Sequence, residues 1–108
     1  MAYRVLLCMD LGLADPHEME KSRSEKIFFG LNELFKNWGK EGIRLIGSFG
    51  KDVRTTGGFT HHAIFEIDSV DTVWKMDHDF MTADWNHELQ SFELHLGNGR
   101  DLIDKHFA

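Results

Sequence analysis

The sequence predicts an α+β domain in which a four-stranded antiparallel sheet carries two helices on one face. The chain has 108 residues and is 42% hydrophobic, which is enough to build a core without disulfide or metal staples. Four segments have the length and pattern of strands, and two have the apolar spacing of helices. Their order is β-α-β-β-α-β, the split βαβ arrangement, and we expect a single domain over residues 1–108.

The first half of the chain predicts a strand, a helix and a second strand. Residues 3–10 (YRVLLCMD) form a short apolar run. Residues 15–18 (DPHE) supply an N-cap acceptor, a proline at the first helical position and a glutamate at the third, so a helix begins there. Gly39 and Gly42 end it, and residues 43–49 (IRLIGSF) follow as a strand. The apolar stripe of this helix comprises Ile27, Phe28, Leu31, Leu34, Phe35 and Trp38.

The second half predicts two further strands around a second helix. Residues 50–58 form a polar, glycine-rich loop, and residues 60–67 (THHAIFEI) form the third strand. Ser69 is the expected N-cap of the helix. Residues 90–96 (QSFELHL) alternate in polarity as a fourth strand, and residues 100–108 form an apolar tail. The expected buried arc of this helix comprises Val70, Val73, Met76, Phe80 and Met81.

Alternation along the strands separates two faces of the sheet. The helix-facing set is almost wholly apolar and comprises Tyr3, Val5, Leu7, Met9, Ile43, Leu45, Phe49, His61, Ala63, Phe65, Ile67, Phe92, Leu94 and Leu96. The other set mixes charged, polar and aliphatic side chains and comprises Arg4, Leu6, Cys8, Arg44, Ile46, Ser48, His62, Ile64, Glu66, Ser91, Glu93 and His95. A mixed face suits a homodimer interface, because aliphatic groups gain burial while opposite charges fix the register. A β-bulge would exchange parts of the two sets.

Charge and cysteine content exclude several classes of function. The formal net charge is −6, which disfavours a surface that follows nucleic-acid phosphates. No apolar run approaches the roughly 20 residues that span a bilayer, so no membrane partner is expected. The lone Cys8 has no partner for an internal disulfide, and residues 1–30 show no secretion signal. We therefore expect a cytoplasmic protein.

Three polar side chains are expected on the otherwise apolar, helix-facing side. They are His61, Tyr3 and, on the second helix, Asp77. A desolvated carboxylate would hold a neighbouring histidine in one tautomer, so His61 is the expected proton acceptor, Asp77 orients it and Tyr3 positions a substrate oxygen. The alternative is that Asp77 bonds a backbone N–H and His61 is a strand-end residue. The expected walls of the ligand pocket are Trp38, Trp74, Phe65 and Phe80.

The element order resembles the dimeric α+β barrel superfamily, whose ferredoxin-like members pair two such sheets face to face. The likeness covers residues 3–96 by element order and length. Members include muconolactone isomerases, antibiotic-biosynthesis monooxygenases, haem-degrading enzymes, polyketide cyclases and small stress-response barrels. The resemblance implies a homodimer formed through the uncovered sheet face. It also implies the strand order 4-1-3-2, with His62 and His95 on either side of the strand that carries Cys8.

No cofactor or metal is expected. His62, His95 and a carboxylate would suit zinc or iron, but they come from three strands without the spacing of a known metal motif. His78 on the second helix corresponds to the haem ligand of the haem-degrading relatives, yet the first strand lacks an asparagine partner. Cys8 is interpreted as an inert small hydrophobe, because no helix N-terminus lies beside it to activate the thiol.

Two functional classes follow from these patterns. The first is a homodimer that binds a small apolar, aromatic or lactone-like molecule between sheet and helices, as a cofactor-independent isomerase, cyclase or monooxygenase. The second is a non-catalytic stress-response or accessory barrel whose polar residues serve dimerisation. In a third, weaker interpretation the exposed Phe29 and the apolar tail attach the chain to another protein.

Overall fold

The structure, a computed structural model, describes residues 2–10, 21–50, 59–89 and 91–98. Within these ranges the chain forms four strands, two α-helices and one short 3-10 helix. The predicted helix start at residues 15–18, most of the predicted loop and the C-terminal tail lie outside the described residues. In chain order the elements are β1 (Tyr3–Asp10), α1 (Lys21–Lys40), β2 (Arg44–Gly50), β3 (His61–Ile67), α2 (Thr72–Met81), the 3-10 helix (Asn86–Glu88) and β4 (Ser91–Asn98).

All neighbouring strands of the sheet are antiparallel, in the order β2-β3-β1-β4. Read from the opposite edge this order is 4-1-3-2, so β3 and β4 both flank β1. Cys8 lies opposite His62 on β3 and opposite Glu93 on β4, and His95 lies opposite Leu6. The predicted α+β class, antiparallel sheet and flanking positions of His62 and His95 are therefore confirmed.

Both helices pack on the same face of the sheet, as predicted. The core joins the odd-numbered side chains of β1 and β3 to α1 and α2, and its members expose between 0% and 7% of their surface. Burial of each large aliphatic or aromatic side chain contributes about 1.5–3 kcal/mol, so this layer dominates the stability of the fold. The largest fully buried side chains are Trp38, Phe65, Phe80, Leu7 and Ile27.

Helix α1 ends at Lys40, and of the two glycines predicted to end it, Gly42 takes the left-handed conformation whereas Gly39 stays helical. The Ile43 amide donates to the Trp38 carbonyl at 2.9 Å, and the Gly42 amide donates to the Gly39 carbonyl at 3.3 Å. This pair of bonds is the Schellman motif, which satisfies carbonyls that the helix leaves open. Gly42 has a φ of +88°, a conformation that glycine adopts without steric cost. Ile43 is 1% exposed and anchors the turn in the core.

A β-bulge corrects the predicted faces of β2. The register with β3 shifts between Leu45 and Gly47, which leaves Ile46 as an extra residue. Alternation is therefore inverted beyond the bulge, and Phe49 lies opposite His62 on the face that the helices leave uncovered. This face is called the open face below. The prediction that Phe49 faces the helices is wrong, and Phe49 is 55% exposed.

Helix α2 begins later than predicted. Asp71 occupies the N-cap position without a side-chain cap, while the Ser69 hydroxyl accepts a hydrogen bond from the Asp71 amide at 3.3 Å. Ser69 therefore stabilises the turn before the helix. Val70 lies in that turn and is 40% exposed, and Met81 at the last helical position is 58% exposed. Neither belongs to the buried arc in which the sequence places them.

No helix in the described ranges is long and apolar enough to cross a membrane. On α1, Phe29 is 70% exposed, as its position outside the apolar stripe predicts. Phe28 lies at the edge of the stripe and is 37% exposed.

Candidate functional site

The structure does not bring His61 and Tyr3 together. Both residues stand at the start of a strand, but β1 and β3 are antiparallel. Tyr3 therefore pairs with Ile67, whereas His61 pairs with Met9 at the other end of β1. At about 3.3 Å per residue, the two side chains are separated by roughly 20 Å along the strand. A site that uses both residues on one small substrate is ruled out by this geometry.

The inward placement predicted for Asp77 is also wrong. The buried residues of α2 are Met76 and Phe80, and Asp77 is exposed. Including Val70 and Met81 shifted the centre of the predicted buried arc by roughly 50° toward Asp77. The carboxylate that this helix turns toward the core is that of Asp79, which is three residues after Met76 and half-buried.

The four expected pocket walls have different positions. Phe65 and Phe80 are 0% exposed and lie within the core, so they line no opening. Trp74 is 72% exposed on the outer side of α2. Only Trp38 of the four lines the cavity described below.

His61 lies at the end of the sheet nearest Phe28. Its Nδ1 is 2.9 Å from the Thr60 hydroxyl, and the Phe28 ring contacts it edge-on with centroids 5.5 Å apart. The Thr60 amide donates to the Met9 carbonyl at 2.8 Å and fixes the start of the strand. Burial, with a smaller contribution from His62, lowers the pKa of the His61 imidazole. The ring is therefore neutral near neutral pH.

A cavity of about 400 Å³ opens between α1, α2 and the segment that follows α2. We call it the inter-helical cavity. Its apolar wall comprises Leu34 and Trp38 of α1 together with Ala83 and Trp85. Trp85 is 7% exposed and meets the Phe80 ring edge-on with centroids 5.1 Å apart. The wall is thus continuous with the core and is fixed by it.

Gly30 allows Trp85 to close one side of this cavity. A Cβ at position 30 would lie within 2.8 Å of Cε2 of Trp85 and closer still to Cδ1 and Nε1. Any larger residue would displace the indole. A glycine inside a helix lowers helix stability by about 1 kcal/mol relative to alanine. The close approach of Trp85 explains why a glycine occupies this position.

The rim of the inter-helical cavity carries a connected set of polar groups. The Trp38 indole N–H donates to Oδ2 of Asp79 at 2.9 Å. The Lys75 ammonium lies 2.6 Å from the same Asp79 oxygen and 2.8 Å from Oε2 of Glu41. These contacts tie α2 to the C-terminal end of α1.

Both charged groups of α2 on this rim are held in their ionised forms. Burial raises the pKa of the Asp79 carboxyl, but hydrogen bonds from Lys75 and Trp38 lower it by more, so the net pKa lies below its ordinary value. Hydrogen bonds to Asp79 and Glu41 raise the pKa of Lys75 above its ordinary value. Lys75 is therefore a cation and Asp79 an anion across the physiological range.

Sequence reasoning missed this site, although signals for it exist. Lys75 and Asp79 have the i,i+4 spacing at which opposite charges pair on a helix. Gly30 interrupts the apolar stripe of α1 at a point where only a close neighbour explains a glycine. The contribution of Glu41 has no local signal, because it depends on how the end of α1 packs against α2.

The open face carries a second group of polar side chains. The His62 ring stacks on Phe49 with centroids 4.7 Å apart and 12° between the planes, and its Nδ1 is buried without a hydrogen-bond partner. Arg44 bridges Glu66 at 2.8 Å and Asp68 at 3.3 Å.

The thiol and the second histidine of this face lie near Glu93. Burial, with a contribution from Glu93, raises the pKa of the Cys8 thiol, so the reactive thiolate is disfavoured. His95 lies 2.8 Å from Glu93. Within the described ranges, no group of three or more histidine, cysteine or acidic side chains is arranged to hold a metal ion.

No protein-family model matches this chain, and no curated protein matches it.

Proposed function

We propose that this protein binds a small aromatic molecule in the inter-helical cavity. The observation that carries the proposal is the combination of two indole side chains with a charged rim around one opening of about 400 Å³. Ligand sites are typically concave, mostly apolar and supplied with a few polar groups that fix orientation. Leu34, Ala83 and the exposed part of Trp85 provide the apolar surface. Lys75, Asp79 and Glu41 provide the polar groups.

The cavity supports binding more strongly than proton-transfer catalysis. A general acid or base works best when its pKa lies near the operating pH. The pKa of Lys75 is raised and that of Asp79 is lowered, so neither group exchanges protons readily near neutral pH. His61, whose pKa is lowered, is not among the residues that line the cavity. A binding role is therefore preferred to the isomerase, cyclase and monooxygenase reactions that the resemblance implies.

The proposed assembly is a homodimer in which two ferredoxin-like sheets pair through their open faces to form an α+β barrel. Phe49 is 55% exposed on this face, and Leu6 and Ile64 are half-buried near its centre. Contiguous apolar surface of this kind is rare on monomers. Arg44 and Glu66 pair with each other beside the apolar group and give it a polar border.

Ligand binding is tested by titrating the full chain with indole and following the indole N–H signals of Trp38 and Trp85 by NMR. We expect saturable shifts at both tryptophans. Asn37 lines the cavity on α1, so Asn37→Phe should block it and weaken binding by at least about tenfold. Asn32→Phe is the matched control, because Asn32 is exposed on the same helix and does not line the cavity. Equal weakening by both variants would contradict the proposal.

The homodimer is tested by sedimentation at micromolar concentration, where we expect twice the chain mass. Phe49→Glu should dissociate the dimer, because it places two charges in a closed apolar contact. Phe29→Glu introduces the same charge at an exposed phenylalanine on the other side of the fold and should leave the dimer intact. A monomeric unmodified chain would overturn this part of the proposal without affecting the ligand site.

A further inference from the structure

In each of the two rim carboxylates, one oxygen accepts hydrogen bonds from neighbouring side chains, and the other accepts none from the residues that the structure describes. Trp38 and Lys75 both bond Oδ2 of Asp79, and Lys75 bonds Oε2 of Glu41. Among the described residues no hydrogen bond or ion pair reaches Oδ1 of Asp79 or Oε1 of Glu41. The rim therefore presents two hydrogen-bond acceptors beside an ammonium that is already paired.

The charges of this rim do not cancel. Lys75 contributes one positive charge, and Asp79 and Glu41 contribute one negative charge each. The other polar lining residues, Asn37 and Thr82, are neutral, and the Thr82 hydroxyl donates to the His78 carbonyl. A cation in the cavity is thus attracted by a net charge of −1, whereas an anion meets two carboxylates and an ammonium that already bonds both of them.

The apolar wall favours the same kind of ligand. Leu34, Ala83 and the exposed part of Trp85 form an apolar wall next to the carboxylates, so an aromatic ring gains burial there. An aromatic ring packed against Leu34 and Ala83 would place a substituent of one or two carbons at the rim.

We infer that the ligand of the inter-helical cavity is a small aromatic amine, whose ring packs against the apolar wall and whose ammonium binds Asp79 and Glu41. This inference rests on the proposed ligand-binding function and specifies its chemical class. The ammonium donates to Oδ1 of Asp79 and to Oε1 of Glu41, while Lys75 keeps its own bonds to the other two oxygens. Charge and hydrogen bonding thus select the amine, and the apolar wall selects the ring.

The test compares three probes of nearly equal size and different charge: 2-phenylethylamine, 2-phenylethanol and phenylacetate. Each is titrated into the full chain at pH 7 and low salt, with the indole N–H signals of Trp38 and Trp85 as the readout. We expect the amine to bind at least about fivefold more tightly than the alcohol and more tightly still than the acid, since one net charge within about 4 Å acts partly screened by water. The difference should shrink at 0.5 M salt, where the Debye length is roughly 4 Å.

Glu41→Gln and Asp79→Asn each remove one rim charge, and each should bring the affinities for amine and alcohol to within about twofold of one another. Asp77→Asn makes the same charge change on the outer side of α2 and should leave the preference for the amine unchanged. The Glu41 side chain is half-exposed and is not part of the core, so its variant tests the inference even if Asp79→Asn perturbs folding.

The outcomes separate the inference from the function on which it depends. Equal binding of amine and alcohol to the unmodified chain, or tighter binding of phenylacetate, would overturn the amine preference and leave the ligand site standing. Loss of the preference in Asp77→Asn would also overturn it, because a general surface charge would then explain the effect. Absence of saturable shifts for all three probes and for indole would overturn the ligand site together with the inference.

Discussion

The indole of Trp85 lies directly against Gly30 of α1, at a distance that leaves no space for a Cβ. Trp85 belongs to the segment after α2, so this contact fixes that segment over the middle of α1. It also forms one wall of the inter-helical cavity. The shape of the cavity therefore depends on the absence of a side chain at position 30.

Gly30→Ala should destabilise the protein, although alanine is the better helix former. The displaced indole costs about 1–3 kcal/mol of overpacking, against a gain in helix propensity of about 1 kcal/mol. Gly39→Ala in the same helix is the control, because a Cβ there meets nothing within 4 Å. Urea denaturation should show a lower free energy of unfolding for Gly30→Ala and an equal or higher one for Gly39→Ala. A stabilised Gly30→Ala variant would mean that Trp85 does not occupy this position.

Removal of the Asp79 carboxylate should leave the buried indole N–H of Trp38 without an acceptor. Trp38 is 1% exposed, and an unpaired buried donor costs about 1–3 kcal/mol. Asp79→Ala should therefore lower the free energy of unfolding by that amount at pH 7. Asp77→Ala, two positions earlier and exposed, should change it by less than about 0.5 kcal/mol. Equal changes in the free energy of unfolding for the two variants would indicate that the Trp38–Asp79 hydrogen bond does not stabilise the fold.

The stabilisation by Asp79 should depend on pH in a definite direction. Its folded-state pKa lies below the ordinary value of 3.8, so the unfolded chain takes up this proton first as the pH falls. The contribution is fully present above about pH 5 and is lost as the pH drops through 3.8 and then through the lower folded-state value. Denaturation curves of the unmodified chain and Asp79→Asn should converge over this interval. A constant difference down to pH 3 would contradict the assigned pKa.

The sequence predicted the fold well because periodicity and helix-end chemistry are local. Alternation gave the faces of β1, β3 and β4, and Gly42 marked the end of α1. The face of Phe49 was mispredicted because a bulge depends on pairing with β3, and residues 43–49 contain no signal that places the extra residue at Ile46.

The candidate site was harder to predict, because it depends on how elements meet. The separation of Tyr3 from His61 follows from strand direction alone and was within reach of sequence reasoning. The rotation of α2 was not, since Val70 and Met81 are apolar yet exposed and shift the apparent arc toward Asp77. The contact of Lys75 with Glu41 requires the packing of two helix ends, which no local pattern describes.

His61 should remain neutral at pH values where an exposed histidine begins to protonate. Burial lowers its pKa from the ordinary 6.5, so protonation favours the unfolded chain. The free energy of unfolding should therefore decline as the pH falls below about 6.5, and His61→Gln should remove this part of the decline. An NMR titration of the His61 ring should give a midpoint below 6.5. A midpoint above that value would show that the ring is not buried beside Phe28.

The tautomer of His61 follows from the bonding of its neighbour. The Thr60 hydroxyl donates to the Met9 carbonyl at 3.3 Å, so its oxygen accepts from Nδ1 of His61 at 2.9 Å. We therefore expect Nδ1 to carry the proton in the neutral ring and Nε2 to hold the lone pair. Nitrogen chemical shifts at pH 8 should identify this tautomer in the unmodified chain. In Thr60→Val the acceptor is absent, so the population should move toward the Nε2-protonated form that free histidine prefers, while Thr60→Ser should preserve the original shifts. An Nε2-protonated ring in the unmodified chain would instead show that the Thr60 hydroxyl donates its hydrogen bond to Nδ1 of His61.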